Sequence, residues 1–578
     1  MKNKISDRCM ILIIVFVALG IYYPAIFGEV NNLDDEDMMT NVINVQQIDW
    51  GRLFFPGSSF HYYRPVLHLS FLFDRFVFGS SSVFLHFNNI LLHTINGVLV
   101  FLIVRQLIQT FRSSVSSYVP LMASLLFVLH PINTEPVNFI SGRTDVLAGV
   151  FVLGSFLVFL RWGLRSFLWS WVAAALYLLG LLSKEVAAGL LPVVGYFLVL
   201  KEEQVTAVPL RRRILLFLPF VVMTAAYFAM RSVASGQADV GVLAAVGAGE
   251  RVDLLVRASS GLKAFGFYLK KLFIPLPLNF AIVDIDRTFY LWFGLAAMIG
   301  ITVLASLWRR VPLFLFLFAV LFFLPALPVA FAKIAWTPLA ERYLYISSAG
   351  MSALIAFMIL GKQEHDVRRQ AVMCALLVAA AVITTDRNIV WQSNLTLYED
   401  TVRKSPACAG ARNQYGIALV RKGRLEEADQ QFRLAQETVG TVRYAETPAL
   451  NRAALAGIHE GTQRAREEYR KILKEQLPPE ALERTLVMLI KATNEQIIGE
   501  EDRGKRRQLC HENISYMIQL ISLRESGFHH YRIGQLYLAV EDKDRARYHF
   551  RRAVDLAPNE YFSGAAKKLM ERLDAATT

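Results

Sequence analysis

The chain is poor in the groups that mark several common protein classes. Its four cysteines, Cys9, Cys374, Cys408 and Cys510, among 578 residues show no CxxC or CxxH spacing, which argues against a zinc site or a disulfide framework. There is no glycine-rich loop of the P-loop or Rossmann type, so a nucleotide is not the expected substrate. No small-x-small cleavage site follows the first apolar stretch, and residues 9–27 therefore read as an uncleaved helix. Charged residues make up only 19% of the chain, against 54% hydrophobic and 12% aromatic, with 40 Phe. Acids are fewer than bases, 48 against 61, for a net charge of +13. The bases stand at the flanks of apolar stretches or in the polar C-terminal part. That placement suits membrane topology and anionic headgroups better than nucleic acid.

What is abundant is apolar sequence of bilayer-spanning length. Candidate spans lie near 9–27, 84–104, 118–134, 145–161, 167–183, 186–200, 214–230, 289–308, 312–330, 346–361 and 370–385. With the N-terminus in the cytoplasm, Arg105, Arg112, Arg161, Arg165, Arg211 to Arg213, Arg309, Arg310, Arg368 and Arg369 fall on the cytoplasmic side, as the positive-inside bias requires. The long first loop, 28–83, then lies outside. An odd count of about eleven crossings also puts everything after residue 390 outside. Segment 262–274, GLKAFGFYLKKLF, sets lysines along an apolar helix and reads as interfacial or re-entrant. If it spans, the C-terminal part moves to the cytoplasm.

The sequence predicts a membrane domain over 1–390 and a soluble helical domain over 391–578. Two stretches of the latter carry tetratricopeptide-repeat spacing. Near 405–438 the pattern residues are Tyr415, Gly416, Leu419, Ala428, Phe432 and Ala435; near 527–560 they are Ile533, Gly534, Tyr537, Ala546, Phe550, Ala553 and Pro558. Ala465 and Tyr469 suggest a decayed copy between them. Small residues let paired helices approach, and aromatics fill the space between units. Such an array is a scaffold or a groove for a polypeptide. The fold class is all-α: a polytopic helix bundle followed by a repeat solenoid.

Ionisable groups at membrane depth cost about 2.5–3.5 kcal/mol each on insertion scales, so they usually face a cavity and a function. Here they gather in the outer segments. Asp34 and Asp35, in NNLDDED directly after the first span, suit a general base or a cation site, unless they are a solvated acidic loop. The same loop carries His61, Arg64 and His68. Arg64 either grips a phosphate with its fork or snorkels beside the tyrosines. His86, Asn89 and His93 share a helical face and invite a polar cavity. HPINTEPVNFISGRTD adds His130, Glu135 as a second candidate acid, Arg143 and Asp145, the last two able to pair with each other. LLSKE and PLAERYLY add Lys184 with Glu185, and Glu341 with Arg342. Four segments bearing acids and cations at one depth suggest a site for a charged, membrane-held substrate.

Together, LDDED, SSFHYYRPVLHLSF, HFNNILLH, HPINTEPVNFISGRTD, LLSKE and ERYLYISSAG resemble, in order, the transmembrane and tetratricopeptide-repeat-containing O-mannosyltransferases. The connecting segment DRNIVWQSNLTLYEDTVRKSP is similar to that family too. The resemblance implies a bundle of the glycosyltransferase C type. It also implies transfer of a sugar from a polyprenyl-phosphate carrier to an acceptor hydroxyl outside the cytoplasm. Under it, Asp34 or Asp35 acts as base, and both hold a divalent cation if one is used. Arg64, Arg143, Lys184 and Arg342 are the candidate ligands of the donor phosphate. His61, His86, Asn89, His93, His130, Glu185 and Glu341 would line the cavity. The expected acceptor is protein Ser/Thr held by the repeats. The array is shorter than in animal members, and this compactness points to a bacterial inner membrane with the repeats in the periplasm. The rivals are a lipid or polysaccharide acceptor, and a non-enzymatic membrane scaffold.

Overall fold

The computed structural model describes residues 6–43, 50–54, 63–113, 115–235, 254–283, 285, 287–307, 310–332, 338–361, 366–438 and 447–575. Among these residues the chain is helical throughout, and its one β contact is an isolated bridge between Ile282 and Leu339. Among the described residues, seven helices are long and apolar enough to cross a membrane: Asp7–Phe27, Ser82–Thr110, Ile140–Gly163, Leu210–Ala234, Val311–Ala330, Glu341–Leu360 and Val367–Val390. Four shorter apolar helices, Val119–Val128, Phe167–Leu181, Glu185–Val199 and Thr288–Gly300, fall on the remaining predicted stretches. The chain is an integral membrane protein.

Compactness divides it into Met1–Cys408 and Ala409–Thr578. The helix Asn394–Lys404 therefore packs with the membrane part, beyond the boundary near 390 that composition suggests. The first unit is built around Ser82–Thr110, which packs on Asp7–Tyr22, Val119–Val128 and Arg143–Val158.

The stretch 129–142 is where the apolar pattern misleads. The helix from Val119 stops at Val128, because Pro131 cannot continue it. The chain then folds inward through short turns at Pro131–Asn133, Thr134–Asn138 and Ile140–Gly142, almost wholly buried. Irregular backbone at such depth needs internal partners. Asn133 donates to the Phe127 carbonyl at 2.8 Å, Thr384 to Leu129 at 2.7 Å and Asn89 to Phe139 at 2.9 Å. Gly142 is required here: a Cβ would sit 2.7 Å from the Pro136 carbonyl oxygen.

Leu254–Phe273 is a 20-residue helix packed on Arg287–Leu307. Gly266 and Gly294 permit the approach, since a Cβ on either would meet backbone within 2.5 Å. The helix buries Phe265, Phe267, Tyr268, Leu269 and Leu272, so segment 262–274 is packed into the bundle and does not lie free on a surface.

In the second unit, helices pair antiparallel. Gly416 lies against Phe432 and Gly534 against Phe550, so closely that a Cβ would fall within 2.4 and 2.7 Å of the rings. Gly457 and Ala465 make the corresponding contact in the middle pair, Thr447–Glu460 with Thr462–Leu473. The two glycine-on-phenylalanine contacts are those that the repeat spacing predicts, and the middle pair packs small residue on small residue instead.

Candidate active site

The first loop presents its two adjacent carboxylates in opposite ways. Asp34 opens the short helix Asp34–Met38 and is exposed; Asp35 is 1% exposed. Asp35 accepts from the backbone N–H of Ser141 at 2.7 Å, Asn31 at 3.2 Å and Ile140 at 3.3 Å. Burial pushes its carboxyl up to about 7, and the N–H donors offset part of that rise. Both oxygens of Asp35 are thus engaged in pinning the loop to the inward-folded stretch. Among the described residues no cluster of three His, Cys, Asp or Glu side chains has metal-holding geometry.

The cations that stand beside acids in sequence do not pair with those acids. Arg342 donates to Glu135 at 2.5 Å and not to Glu341. Glu341 takes the buried Lys271 at 2.5 Å and the Asn279 N–H at 3.0 Å. Lys184 grips both oxygens of Asp145 at 2.6 Å and not Glu185. Glu185 takes Arg64 at 2.8 Å and Arg231 at 3.6 Å. Arg143 donates to Asp74 at 2.5 Å and not to Asp145. Neighbours one residue apart in a helical turn point to different sides, so each finds its partner on another element.

Arg143 is 1% exposed. Besides Asp74 its fork reaches Asn89 at 2.8 Å and the Leu85 carbonyl at 2.8 Å, and it stacks on Phe71. All three of its nitrogens have partners inside the bundle, so in this arrangement it braces the site, a different role from the donor-phosphate ligand that the sequence suggests. Lys184 and Arg342 are placed differently. Both lie over the Tyr343 ring, at 5.1 and 5.4 Å from its centroid. Burial pushes the Lys184 ammonium down to about 8, against the pull of Asp145, and the nearby charges of Arg64 and Arg342 add to the lowering. Glu135 is buried and its carboxyl is raised by desolvation, with Arg342 opposing. Asp34 lies within electrostatic reach of Arg342.

The polar residues of the cavity reading mostly serve the fold. His93 bonds the Tyr345 hydroxyl at 2.8 Å and the Val128 carbonyl at 3.2 Å. Asn89 ties Phe139, Ile140 and Arg143 together. His130 accepts from Ile132 N–H and caps the turn that follows it. His86 is buried beside Gly28. His61 lies outside the described residues. Sequence reasoning missed Lys271, Asp74 and Asn394. Asp74 had a signal, a lone acid inside the apolar run SFLFDRF. Lys271 had one as well, a lysine on an otherwise buried helical face.

No family model matches the chain. It is 22% identical over 478 residues to the Protein O-mannosyl-transferase F38B6.6 of Caenorhabditis elegans, covering 75% of this chain and 63% of that one. It is 31% identical over 179 residues to the human Protein O-mannosyl-transferase TMTC3, covering 29% and 19%. With the mouse Protein O-mannosyl-transferase TMTC2 it shares 34% over 128 residues, covering 21% and 14%. The chain thus spans less than two thirds of the length of each of these relatives. Among solved structures, the apo oligosaccharyltransferase of Archaeoglobus fulgidus overlaps 69% of this chain and 58% of its own at a TM-score of 0.35 and 13% identity. That score adds nothing to the fold described above. In sequence the chain is a relative of the transmembrane and tetratricopeptide-repeat-containing protein O-mannosyltransferases.

Proposed function

We propose that the protein is a membrane glycosyltransferase of the glycosyltransferase C type. It moves a sugar from a polyprenyl-phosphate carrier to a Ser/Thr hydroxyl of a protein, outside the cytoplasm. The single observation that carries the reading is the exposed Asp34, next to the pinned Asp35 and within electrostatic reach of Arg342, in a chain related to O-mannosyltransferases. Asp34 takes the proton of the acceptor hydroxyl as its oxygen attacks the anomeric carbon. The bond to the carrier phosphate breaks in the same displacement, with inversion. Arg342, Lys184 and Arg64 stabilise the charge growing on the departing phosphate; such preorganised cations act most strongly where water is excluded. Each is already held by a carboxylate, Glu135, Asp145 or Glu185, which fixes its position. The carrier tail remains in the bilayer and the repeats hold the acceptor polypeptide.

A lipid or polysaccharide acceptor would use the same chemistry. Mass spectrometry of membrane and secreted proteins, and of glycolipids, from cells with and without the gene separates the two. Loss of hexose from Ser/Thr peptides alone supports the protein acceptor. Loss confined to glycolipids replaces it, and no change in either class contradicts the enzymatic reading.

A further inference from the structure

The helix Asn394–Lys404 is strapped to the loop that carries the two carboxylates. Asn394 makes the main contact. Its Oδ1 accepts the Asn32 N–H at 3.1 Å and its Nδ2 donates to the Val30 carbonyl at 2.8 Å. One side-chain amide thereby pairs with the backbone on both sides of Asn31, as a neighbouring peptide group would in a sheet. Glu29 closes the contact from the other direction: its carboxylate accepts the Asn394 N–H at 2.9 Å and Nδ2 at 3.2 Å, and its own N–H donates to the Gln392 carbonyl at 3.0 Å. One turn on, the Tyr398 hydroxyl donates to Asn31 Oδ1 at 2.9 Å, which also accepts the Leu33 N–H at 2.9 Å. Asn31, Asn394 and Tyr398 are all buried, at 4%, 5% and 0% exposure. Residues 29 to 33 are thus each bonded to this helix, to Gln392 just before it, or to the Asn31 side chain that the helix holds, and Asp34 is the next residue.

The far end of the same helix is fixed as well. Asp400 pairs with Arg387 at 2.6 Å and Lys404 at 2.8 Å, and Lys404 donates to the Leu278 carbonyl at 2.8 Å. The adjoining Asn279 donates its N–H to Glu341, the residue before Arg342. One helix therefore touches the loop that leads to Asp34 and, at Leu278, the stretch whose Asn279 is bonded to Glu341.

We propose that Asn394, supported by Tyr398, is a positioning residue that sets Asp34 in register with the acceptor hydroxyl; this rests on the reading of Asp34 as the base. The chemistry of the contact demands asparagine. Aspartate would lack the donor for Val30 and would set a second carboxylate against Glu29. Glutamine would overreach by one methylene. A misplacement of about 1 Å at a reacting group costs roughly 100-fold in rate. The loss belongs in kcat, because the bonds of Asn394 and Tyr398 go to the loop that leads to Asp34, at the end of the helix away from Leu278 and Glu341.

The test uses the full chain in nanodiscs, as wild type, Asn394→Ala, Asn394→Asp and Tyr398→Phe. Three quantities are read: melting, hydrogen exchange of residues 29–36, and transfer from a polyprenyl-phosphate mannose to a threonine peptide. The expected result for both Asn394 variants is faster exchange in 29–36. It comes with kcat lowered roughly 10- to 100-fold at an unchanged KM for the donor. Tyr398→Phe, which removes one hydroxyl and leaves the packing, gives a smaller change in the same direction. Faster exchange with undiminished kcat overturns the positioning role. Unchanged exchange overturns the strap. Wild-type protein that transfers nothing, while exchange still responds to Asn394, overturns the enzymatic reading and with it the assigned purpose of the strap.

Discussion

At the scale of residues, the site is a set of crossed ion pairs, and the crossing can be measured. Arg342→Ala and Glu135→Gln should couple by about 1–3 kcal/mol in a double-mutant cycle of stability, whereas Arg342→Ala and Glu341→Gln should be close to additive. The reverse pattern would restore the sequence-adjacent pairing. Lys184 makes a second prediction. Its ammonium is pushed down to about 8 by burial. If that charge stabilises the departing phosphate, turnover falls as pH rises through about 8, and Lys184→Arg moves the limb upward. The sign of the stability effect is opposite. With the folded value below the ordinary 10.5, the unfolded chain binds more protons between the two, so the lysine's own contribution to stability rises over that interval. Loss of turnover without loss of melting temperature in that range separates a catalytic charge from a structural one.

These residues were only partly legible in the sequence. The clustering of acids and bases at one end of the spans followed from their cost in a membrane. Their partners did not, because a partner is set by which helix packs beside which. Arg143 looks like any other outer cation in SGRTD until Asp74, Asn89 and Leu85 are seen around it. Asp34 and Asp35 are equivalent on paper; burial and the backbone N–H groups of Asn31, Ile140 and Ser141 distinguish them.

At the scale of elements, hydropathy located each of the eleven apolar stretches, and a helix lies on every one. It overran at 129–134, where Pro131 and buried side-chain caps turn the chain inward. Of the two readings of segment 262–274, interfacial or re-entrant, the packing of Leu254–Phe273 favours the second, because one of its lysines is buried against Glu341. The repeats were legible from their small residues, and those residues carry a prediction. Gly534→Val would force a Cβ into the Phe550 ring and should destabilise the repeat unit by about 1–3 kcal/mol. Gly564, helical with open space at its Cβ, is the contrast: Gly564→Ala should stabilise by about 0.5–1 kcal/mol. Chemical denaturation of the two variants checks both signs.

At the scale of the whole molecule, every candidate catalytic residue precedes Tyr343, and the strap that follows ends within the first compact unit. A chain ending at Cys408 keeps Asn394, Tyr398 and Lys404 and should insert and slowly hydrolyse the donor, yet fail to modify the natural acceptor. Under the proposed function, binding of the acceptor by the repeats supplies energy that is spent on bringing the hydroxyl to Asp34. Full acceptor modification by the stable truncation would leave the repeats as a scaffold. The central claim, that Asp34 is the base of a sugar transfer from a lipid carrier, is met most directly by one assay. Purified full-length protein and its Asp34→Asn variant are given a polyprenyl-phosphate mannose and a Ser/Thr acceptor peptide, and the mannosylated peptide is quantified by mass spectrometry. The account predicts transfer by the wild type and a loss of about 10²- to 10⁴-fold in the variant at equal melting temperature; equal transfer by the two proteins, or none by either, would contradict it.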